Sequence, residues 1–151
     1  MGEALPKIGD VFEERYEIEA LIGSGGFAHI FLANEKGIDR KVAVKLLKGS
    51  LADAQTSGDD RSIQVAKLRD PHTITMFDHG ETDGGLLYMV FEYIDGESLK
   101  QLVGREGRLA AERVAHILDQ TLSSLQEAHK IGVLHRDIKP QNIIIRSDGQ
   151  A

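Results

Sequence analysis

The spacing of apolar residues changes along this chain from a period of two to a period between three and four. From residue 15 to residue 47, apolar and polar side chains alternate over short stretches, which is typical of half-buried β-strands. From residue 111 to residue 130, apolar side chains recur at three- and four-residue spacing, which predicts one long helix with a broad apolar face. Strands followed by helices indicate an α+β fold with an antiparallel sheet.

Five sheet strands, one short additional strand and three helices are predicted. The sheet strands are expected over residues 16–22, 29–33, 41–47, 73–78 and 86–93. The helices are expected from residue 57 or 59 to 68, over 98–103 and over 111–130, and the short strand over 143–145. The glycine-rich run at 23–26 is expected to turn through positive φ angles, which glycine tolerates. The first fourteen residues are interpreted as a leader.

Composition excludes several classes of protein. The 151 residues carry 18 basic and 24 acidic side chains, a formal charge of −6, which argues against non-specific nucleic-acid binding. The sequence has no cysteine, which excludes disulfide scaffolds, thiolate metal sites and cysteine nucleophiles. No apolar run approaches the roughly 20 residues of a membrane span, and the N-terminus does not have the pattern of a signal peptide. The sequence therefore favours a cytoplasmic protein.

A glycine-rich run connects the first two predicted strands. Residues 23–28 read GSGGFA, which nearly matches G-x-G-x-x-G, but Ala28 replaces the last glycine. A dinucleotide-binding fingerprint must lead from a strand into a helix, and a Walker A loop must end in Gly-Lys-Ser/Thr, so neither pattern fits. Taken alone, the run is as compatible with a plain hairpin as with a loop that cradles phosphates.

The third predicted strand carries a lysine beside a small residue. Residues 42–45 read Val-Ala-Val-Lys, and side chains alternate between the two faces of a strand, so Ala43 and Lys45 share one face. That arrangement leaves room for a planar ring and places an ammonium beyond it, where it can pair with phosphate oxygens. The alternative is a solvated lysine on an edge strand.

A third motif lies between the long helix and the last short strand. Residues 135–142 read HRDIKPQN, the H-R-D-x-x-x-x-N pattern of a catalytic loop. On this motif, the glycine run and Lys45, in that family's order, the sequence resembles the protein kinase family and most closely the bacterial eukaryotic-like Ser/Thr kinases. Lys139, two residues after Asp137, is the Ser/Thr-type variant.

The resemblance implies an organisation for the chain. Residues 15–94 would form a kinase N-lobe with its hinge, a five-stranded antiparallel sheet with one helix. Residues 95–151 would form the first helices of an incomplete helical C-lobe, and residues 1–14 would be the leader. The expected cofactors are ATP and Mg²⁺, and the expected partner is a protein substrate.

The resemblance also implies roles for single residues. Asp137 would orient the substrate hydroxyl, Lys139 would contact the moving phosphoryl group, and Asn142 would hold Mg²⁺. Lys45 and Asp137 are expected to converge on one triphosphate. His135 is expected to pack, and Arg136 resembles the arginine of kinases that are switched on by phosphorylation. The residues expected around the nucleotide are Ile22, Gly23, Gly25, Gly26, Ile30, Ala43, Lys45, Glu92, Ile94 and Ile144, with Phe91 as gatekeeper.

Two departures from the family pattern stand out. Family spacing puts Arg61, with Asp60 adjacent, where a glutamate should pair with Lys45. No Asp-Phe-Gly occurs, and the second metal ligand is expected just after Ala151. The sequence therefore resembles roughly the first half of a kinase domain. We expect this chain alone to be a very poor kinase or inactive. A pseudokinase-like module that binds a nucleotide or a partner, and a truncated product without a stable fold, are the alternatives.

Overall fold

The computed structural model describes residues 4–48 and 64–151, which divide into two units. The first, here called the sheet unit, comprises the described residues up to Ala66 together with Thr75–Tyr93. The second, the helical unit, comprises Lys67–Ile74 and Ile94–Ala151. Most of the expected helix that ends at Leu68, including Asp60 and Arg61, lies outside the described residues.

The sheet unit is built on one six-stranded antiparallel sheet. Its strands are β1 (Val11–Phe12), β2 (Tyr16–Ser24), β3 (Ala28–Glu35), β4 (Arg40–Leu47), β5 (Met76–Glu81) and β6 (Leu87–Glu92). They lie in the order β1-β2-β3-β4-β6-β5, so β4 is flanked by β3 and β6.

One face of this sheet forms the core of the unit. Along β4, burial alternates with a period of two, and the three residues Val42, Val44 and Leu46 are at most 2% exposed. The aromatic ring of Phe12 packs edge-on against Tyr88, with ring centroids 5.1 Å apart. The core is completed by Tyr16, Ile18, Phe31, Ala33 and Val90.

A buried carboxylate fixes the end of β3. Glu35 is 1% exposed and accepts hydrogen bonds from Arg15 at 2.5 Å and from Arg40 at 2.9 and 2.5 Å. Burial alone would raise the pKa of Glu35, but the two guanidinium groups outweigh it and lower the pKa. The Arg40 guanidinium also lies 3.7 Å from the centre of the Phe77 ring. The buried charge is therefore paired on both sides.

The helical unit contains a small two-stranded sheet and two helices. Its elements are β7 (Gly96–Ser98), α1 (Leu99–Glu106), α2 (Ala111–Lys130), a 3₁₀ turn (Pro140–Asn142) and β8 (Ile144–Arg146), with β7 and β8 antiparallel. Ser98 caps α1, because its hydroxyl accepts from the Gln101 N–H while the Gln101 side chain accepts from the Ser98 N–H. None of the described helices is long and apolar enough to cross a membrane.

Helix α2 ends where the sequence predicts, and through a defined mechanism. Gly132 has φ +79°, the Val133 N–H donates to the Ala128 carbonyl at 2.9 Å, and the Gly132 N–H donates to the His129 carbonyl at 3.1 Å. These are the two bonds of a Schellman motif, which needs a left-handed residue at the position of Gly132.

The apolar face of α2 is only partly buried. Ile117 and Ala128 are buried, as is the polar side chain of Gln120, whereas Leu118 is 51% and Leu122 61% exposed. The helix therefore buries a narrower stripe than its sequence offers.

The predicted α+β fold with an antiparallel sheet is confirmed, with three differences in detail. The sheet has six strands rather than five, because Val11–Phe12, within the predicted leader, pair with Tyr16 and Glu17. Strand β5 begins at Met76 rather than at Thr73, because the Thr73 hydroxyl bonds to Ser124 at 2.5 Å within the helical unit.

The third difference concerns the glycine run. The prediction of positive φ angles at residues 23–26 is wrong, because none of these described residues has one. The turn is instead closed by a hydrogen bond from the Gly25 N–H to the Ala28 carbonyl at 3.0 Å, next to an irregularity in the pairing of β2 between Leu21 and Gly23.

Candidate functional site

Strand β4 places Ala43 and Lys45 on the face of the sheet opposite the core. Val42 and Val44 are buried in the core, whereas Ala43 and Lys45 are of intermediate exposure. This is the facing that the alternation of strand side chains predicts. The side chain of Lys45 is therefore available on the outer face of the sheet unit.

Neighbouring strands add apolar residues to this face. Ile30 on β3 pairs with Lys45, and Phe91 on β6 pairs with Ala43. Directly paired residues of antiparallel strands project to the same side of a sheet. Four residues that the sequence assigns to nucleotide binding, Ile30, Ala43, Lys45 and Phe91, thus share one face.

The glycine run forms the tip of the hairpin between β2 and β3, here called the glycine hairpin (residues 23–28). A Cβ atom at Gly25 or Gly26 would meet no atom within 4 Å, so the backbone there is open to a ligand. Gly23 pairs with Ile30, and a Cβ on Gly23 would lie 3.5 Å from the Ile30 side chain. Ile22 is 47% exposed at the pairing irregularity.

The remaining expected nucleotide residues lie where β6 ends and in β8. The Glu92 N–H donates to the Thr75 carbonyl at 2.9 Å, and the Glu92 carboxylate accepts from the Thr75 N–H at 2.7 Å. Ile94 is the first residue of the second segment of the helical unit. In β8, Ile144 is partly buried and pairs with Ser98.

In the helical unit, the residues predicted to be catalytic lie together. The Asp137 carboxylate accepts from the Asn142 side-chain amide at 3.0 Å and is 3.2 Å from the Lys139 ammonium. The same Asn142 amide also donates to the Asp137 carbonyl at 2.8 Å. The loop therefore holds a carboxylate, an ammonium and an amide oxygen within one constellation.

The backbone of this loop is held by local contacts rather than by burial. The Asp137 N–H donates to the His135 ring at 3.2 Å, and Arg136 has φ +66°, a left-handed conformation that is uncommon for a residue with a side chain. The 3₁₀ turn begins after Lys139, whose carbonyl accepts from the Asn142 N–H at 2.9 Å. The side chain of Asp137 is 62% exposed.

The charge of Asp137 is favoured by its neighbours. The hydrogen bond with Lys139, and then the one with Asn142, lower the pKa of Asp137 below its ordinary value. The carboxylate is therefore ionised at neutral pH and can accept a proton-donating hydroxyl.

A magnesium ion would find hard oxygen donors in this loop. The Asn142 amide nitrogen donates to Asp137, which leaves the Asn142 amide oxygen for a cation. Within residues 4–48 and 64–151, no group of three or more His, Asp or Glu side chains is arranged around a common point. Mg²⁺ commonly takes one or two protein oxygens and completes its shell with water and phosphate, so the donor set fits such an ion.

The sequence did not predict the polar contacts that α2 makes with residues 69–70 and with Ala151. The Glu127 carboxylate accepts from the backbone N–H groups of Arg69 and Asp70 at 2.7 to 3.0 Å. The Gln120 side chain accepts from the Ala151 N–H at 2.8 Å and is 4% exposed. One feature of the sequence could have indicated the Gln120 contact: this glutamine lies three residues after Ile117, on the apolar face of the helix.

Comparison with known proteins identifies the family. The protein kinase domain family matches residues 16–151, so the chain belongs to the protein kinases. It is 38% identical over 141 residues to the serine/threonine-protein kinase pkn3 of Myxococcus xanthus, covering 91% of this chain and 26% of that protein. Over an alignment of 157 positions it is 34% identical to the serine/threonine-protein kinase PknA of Mycobacterium tuberculosis, covering 96% of this chain and 35% of that protein.

A solved structure agrees with this assignment. The kinase domain of Mycobacterium tuberculosis PknI matches with a TM-score of 0.76 at 26% identity, covering 97% of this chain and 60% of that one. The resemblance to bacterial eukaryotic-like kinases is thereby confirmed. The chain spans about a quarter to a third of the length of pkn3 and PknA.

Proposed function

We propose that this chain supplies the nucleotide-binding sheet and the catalytic loop of a Ser/Thr protein kinase. The reaction is transfer of the terminal phosphoryl group of ATP to a serine or threonine hydroxyl of a protein. Because that reaction consumes ATP, we propose that it occurs in the cytoplasm. The observation that carries the proposal is the grouping of Asp137, Lys139 and Asn142 within hydrogen-bonding distance in one loop.

The sheet unit would bind the nucleotide. Lys45 would pair with phosphate oxygens, and the backbone N–H groups of the glycine hairpin would donate to them. The apolar residues Ile22, Ile30 and Ala43 would contact the adenine, and Ile144 of the helical unit is assigned the same role. The backbone of Glu92 and Ile94 would offer hydrogen bonds to the edge of the base.

The catalytic loop would orient the acceptor. The ionised Asp137 carboxylate accepts a hydrogen bond from the substrate hydroxyl, whose oxygen then bonds to the terminal phosphorus. The bond from that phosphorus to the bridging oxygen breaks, ADP leaves, and the hydroxyl proton passes to the carboxylate and then to solvent. Lys139 compensates negative charge on the transferred group, since most of the rate enhancement in phosphoryl transfer comes from positioning and electrostatics.

The amide oxygen of Asn142 would hold Mg²⁺ together with phosphate oxygens. When bound, the metal neutralises phosphate charge. The residues of this chain then have the narrower task of orienting the Asn142 amide, and the two hydrogen bonds that its nitrogen donates to Asp137 would leave its oxygen for the metal.

The test is transfer of labelled phosphate from ATP to protein serine or threonine. The assay uses the protein that the natural reading frame encodes, because the curated relatives are longer than this chain. Asp137→Asn removes the charge and keeps the shape, and we expect it to lower kcat by about a hundredfold or more.

The matched control is Asp83→Asn, in an exposed turn between β5 and β6. It is expected to leave kcat unchanged. Full activity of Asp137→Asn, or equal loss in both variants, would contradict the assignment of Asp137.

A further inference from the structure

Lys48 follows β4 directly and makes two contacts with the glycine hairpin. Its backbone N–H donates to the Phe27 carbonyl at 2.8 Å. Its ammonium donates to the Gly25 carbonyl. A single residue thus fixes two carbonyl groups of the hairpin tip, one through its backbone and one through its side chain.

The geometry of the peptide bond turns these contacts into an orientation. Every peptide bond of the described chain is trans, so each carbonyl points opposite to the N–H of the next residue. Because the Gly25 and Phe27 carbonyls point toward Lys48, the N–H groups of Gly26 and Ala28 point away from it. Lys48 therefore directs two backbone donors to the side of the hairpin that it does not occupy.

This orientation needs an external constraint at Gly25 and Gly26. Glycine has the largest backbone freedom of any residue, and a Cβ at either position would meet no atom within 4 Å, so packing does not restrict them. The hairpin ladder ends just before Lys48, where Leu47 pairs with Ala28. Beyond it, the Gly25 N–H is bonded to the Ala28 carbonyl, and the ammonium of Lys48 adds a further constraint on the Gly25 carbonyl.

We propose that Lys48 is a positioning residue for phosphate binding. It locks the Gly25–Gly26 and Phe27–Ala28 peptide groups so that the Gly26 and Ala28 N–H groups face the nucleotide phosphates. The proposal rests on the proposed function, in which the glycine hairpin binds ATP. It is separate from the role of Lys45, whose ammonium pairs with the phosphates directly.

Nucleotide binding by the 151-residue chain tests the effect on phosphates. Calorimetric titration with Mg-ATP and with adenosine is compared for the parent chain, Lys48→Met, Lys48→Arg and Lys36→Met. Lys36 is an exposed lysine in the turn between β3 and β4 and serves as the matched control. We expect Lys48→Met to weaken Mg-ATP binding about tenfold, as loss of one charge-assisted hydrogen bond does, and to leave adenosine binding within about twofold.

The other variants define what overturns the proposal. Lys48→Arg, which keeps a donor and a charge, is expected to retain Mg-ATP affinity within about twofold, and Lys36→Met to match the parent. Unchanged Mg-ATP binding in Lys48→Met would overturn the proposal. So would an equal loss of adenosine binding, which would show a general structural role.

A measurement without nucleotide separates this proposal from the proposed function. Amide hydrogen exchange of Gly25 is followed by NMR in the parent, Lys48→Met and Lys36→Met, because the Gly25 N–H is bonded within the hairpin. Exchange several times faster in Lys48→Met alone supports the positioning of the hairpin by Lys48, even if the chain binds no ATP. Absence of ATP binding would count against the proposed function only. Unchanged exchange in Lys48→Met overturns the lock itself.

Discussion

The two units of this molecule achieve order by different means. In the sheet unit, alternating residues of successive strands bury one face, and Ile18, Val42 and Val90 are at most 1% exposed. In the helical unit, the long helix leaves much of its apolar face open, with Leu122 at 61% exposure. The loop of residues 135–142 there is held by side-chain hydrogen bonds to its own backbone. Burial fixes the first unit, and local polar contacts fix this loop of the second.

The difference has a consequence for the proposed site. Lys45 lies on a strand that is paired on both sides, so its backbone position is fixed by the sheet. Asp137 lies in an exposed loop, and its position depends on a few bonds to Lys139 and Asn142. Substitutions near Asp137 should therefore alter function with little effect on stability, whereas core substitutions should alter stability first.

Truncation of core residues should give the largest difference between the units. Ile18→Ala leaves a cavity in the sheet core and is expected to lower the free energy of unfolding by about 3 kcal/mol. Leu122→Ala removes an exposed side chain from α2 and is expected to change it by no more than about 0.5 kcal/mol. Urea unfolding of both variants, followed by circular dichroism, measures the contrast. A cost above about 1.5 kcal/mol for Leu122→Ala would show that this face is covered in solution.

The buried carboxylate of the sheet unit predicts a pH dependence. The folded pKa of Glu35 lies below its ordinary value of 4.5, so its contribution to stability is present above pH 4.5 and is lost as the pH falls through the folded pKa. Glu35→Gln should lower the free energy of unfolding at pH 7 by about 2 kcal/mol, because it removes charge-assisted bonds to Arg15 and Arg40. Below pH 4.5, the parent chain should lose stability more steeply than Glu35→Gln. Parallel acid profiles for the two proteins would contradict this account.

Two glycines of the helical unit should respond in opposite directions. Gly132 has φ +79° at the end of α2, so Gly132→Ala should cost about 1 kcal/mol of unfolding free energy. Gly104 lies inside α1 with open space around its α-carbon, so Gly104→Ala should add about 0.5 to 1 kcal/mol. Thermal melting of the pair is the measurement. Destabilisation by both substitutions would argue against the helix boundaries described above.

The sequence was most informative where a pattern repeats or a motif is long. Strand alternation predicted that Ala43 and Lys45 lie opposite Val42 and Val44. Helical spacing predicted α2, and the glycine at position 132 predicted where it ends. Strand β1 was missed because two residues are too few to show alternation. The start of β5 was misplaced because the contact between the Thr73 hydroxyl and a distant serine has no local signal in the sequence.

Polar contacts over long sequence separation were also beyond prediction. The bonds from Arg69 and Asp70 to Glu127 join residues more than fifty positions apart, and no spacing rule connects them. In the loop of residues 135–142 the opposite holds, because the side-chain hydrogen bonds of its Asp137 and Asn142 are made within the eight-residue motif itself. The family could therefore be predicted from the sequence, whereas the contacts of α2 with residues 69–70 and with Ala151 could not.

The proposed function depends above all on Lys45 of the sheet unit, which we expect to bind the phosphates of ATP. Calorimetric titration of Lys45→Met and the parent chain with Mg-ATP and with adenosine tests this expectation. We predict that the parent binds both, and that Lys45→Met loses about tenfold or more in Mg-ATP affinity while adenosine affinity stays within about twofold. Equal Mg-ATP affinity in the parent and Lys45→Met, or no Mg-ATP binding by the parent, would contradict the account.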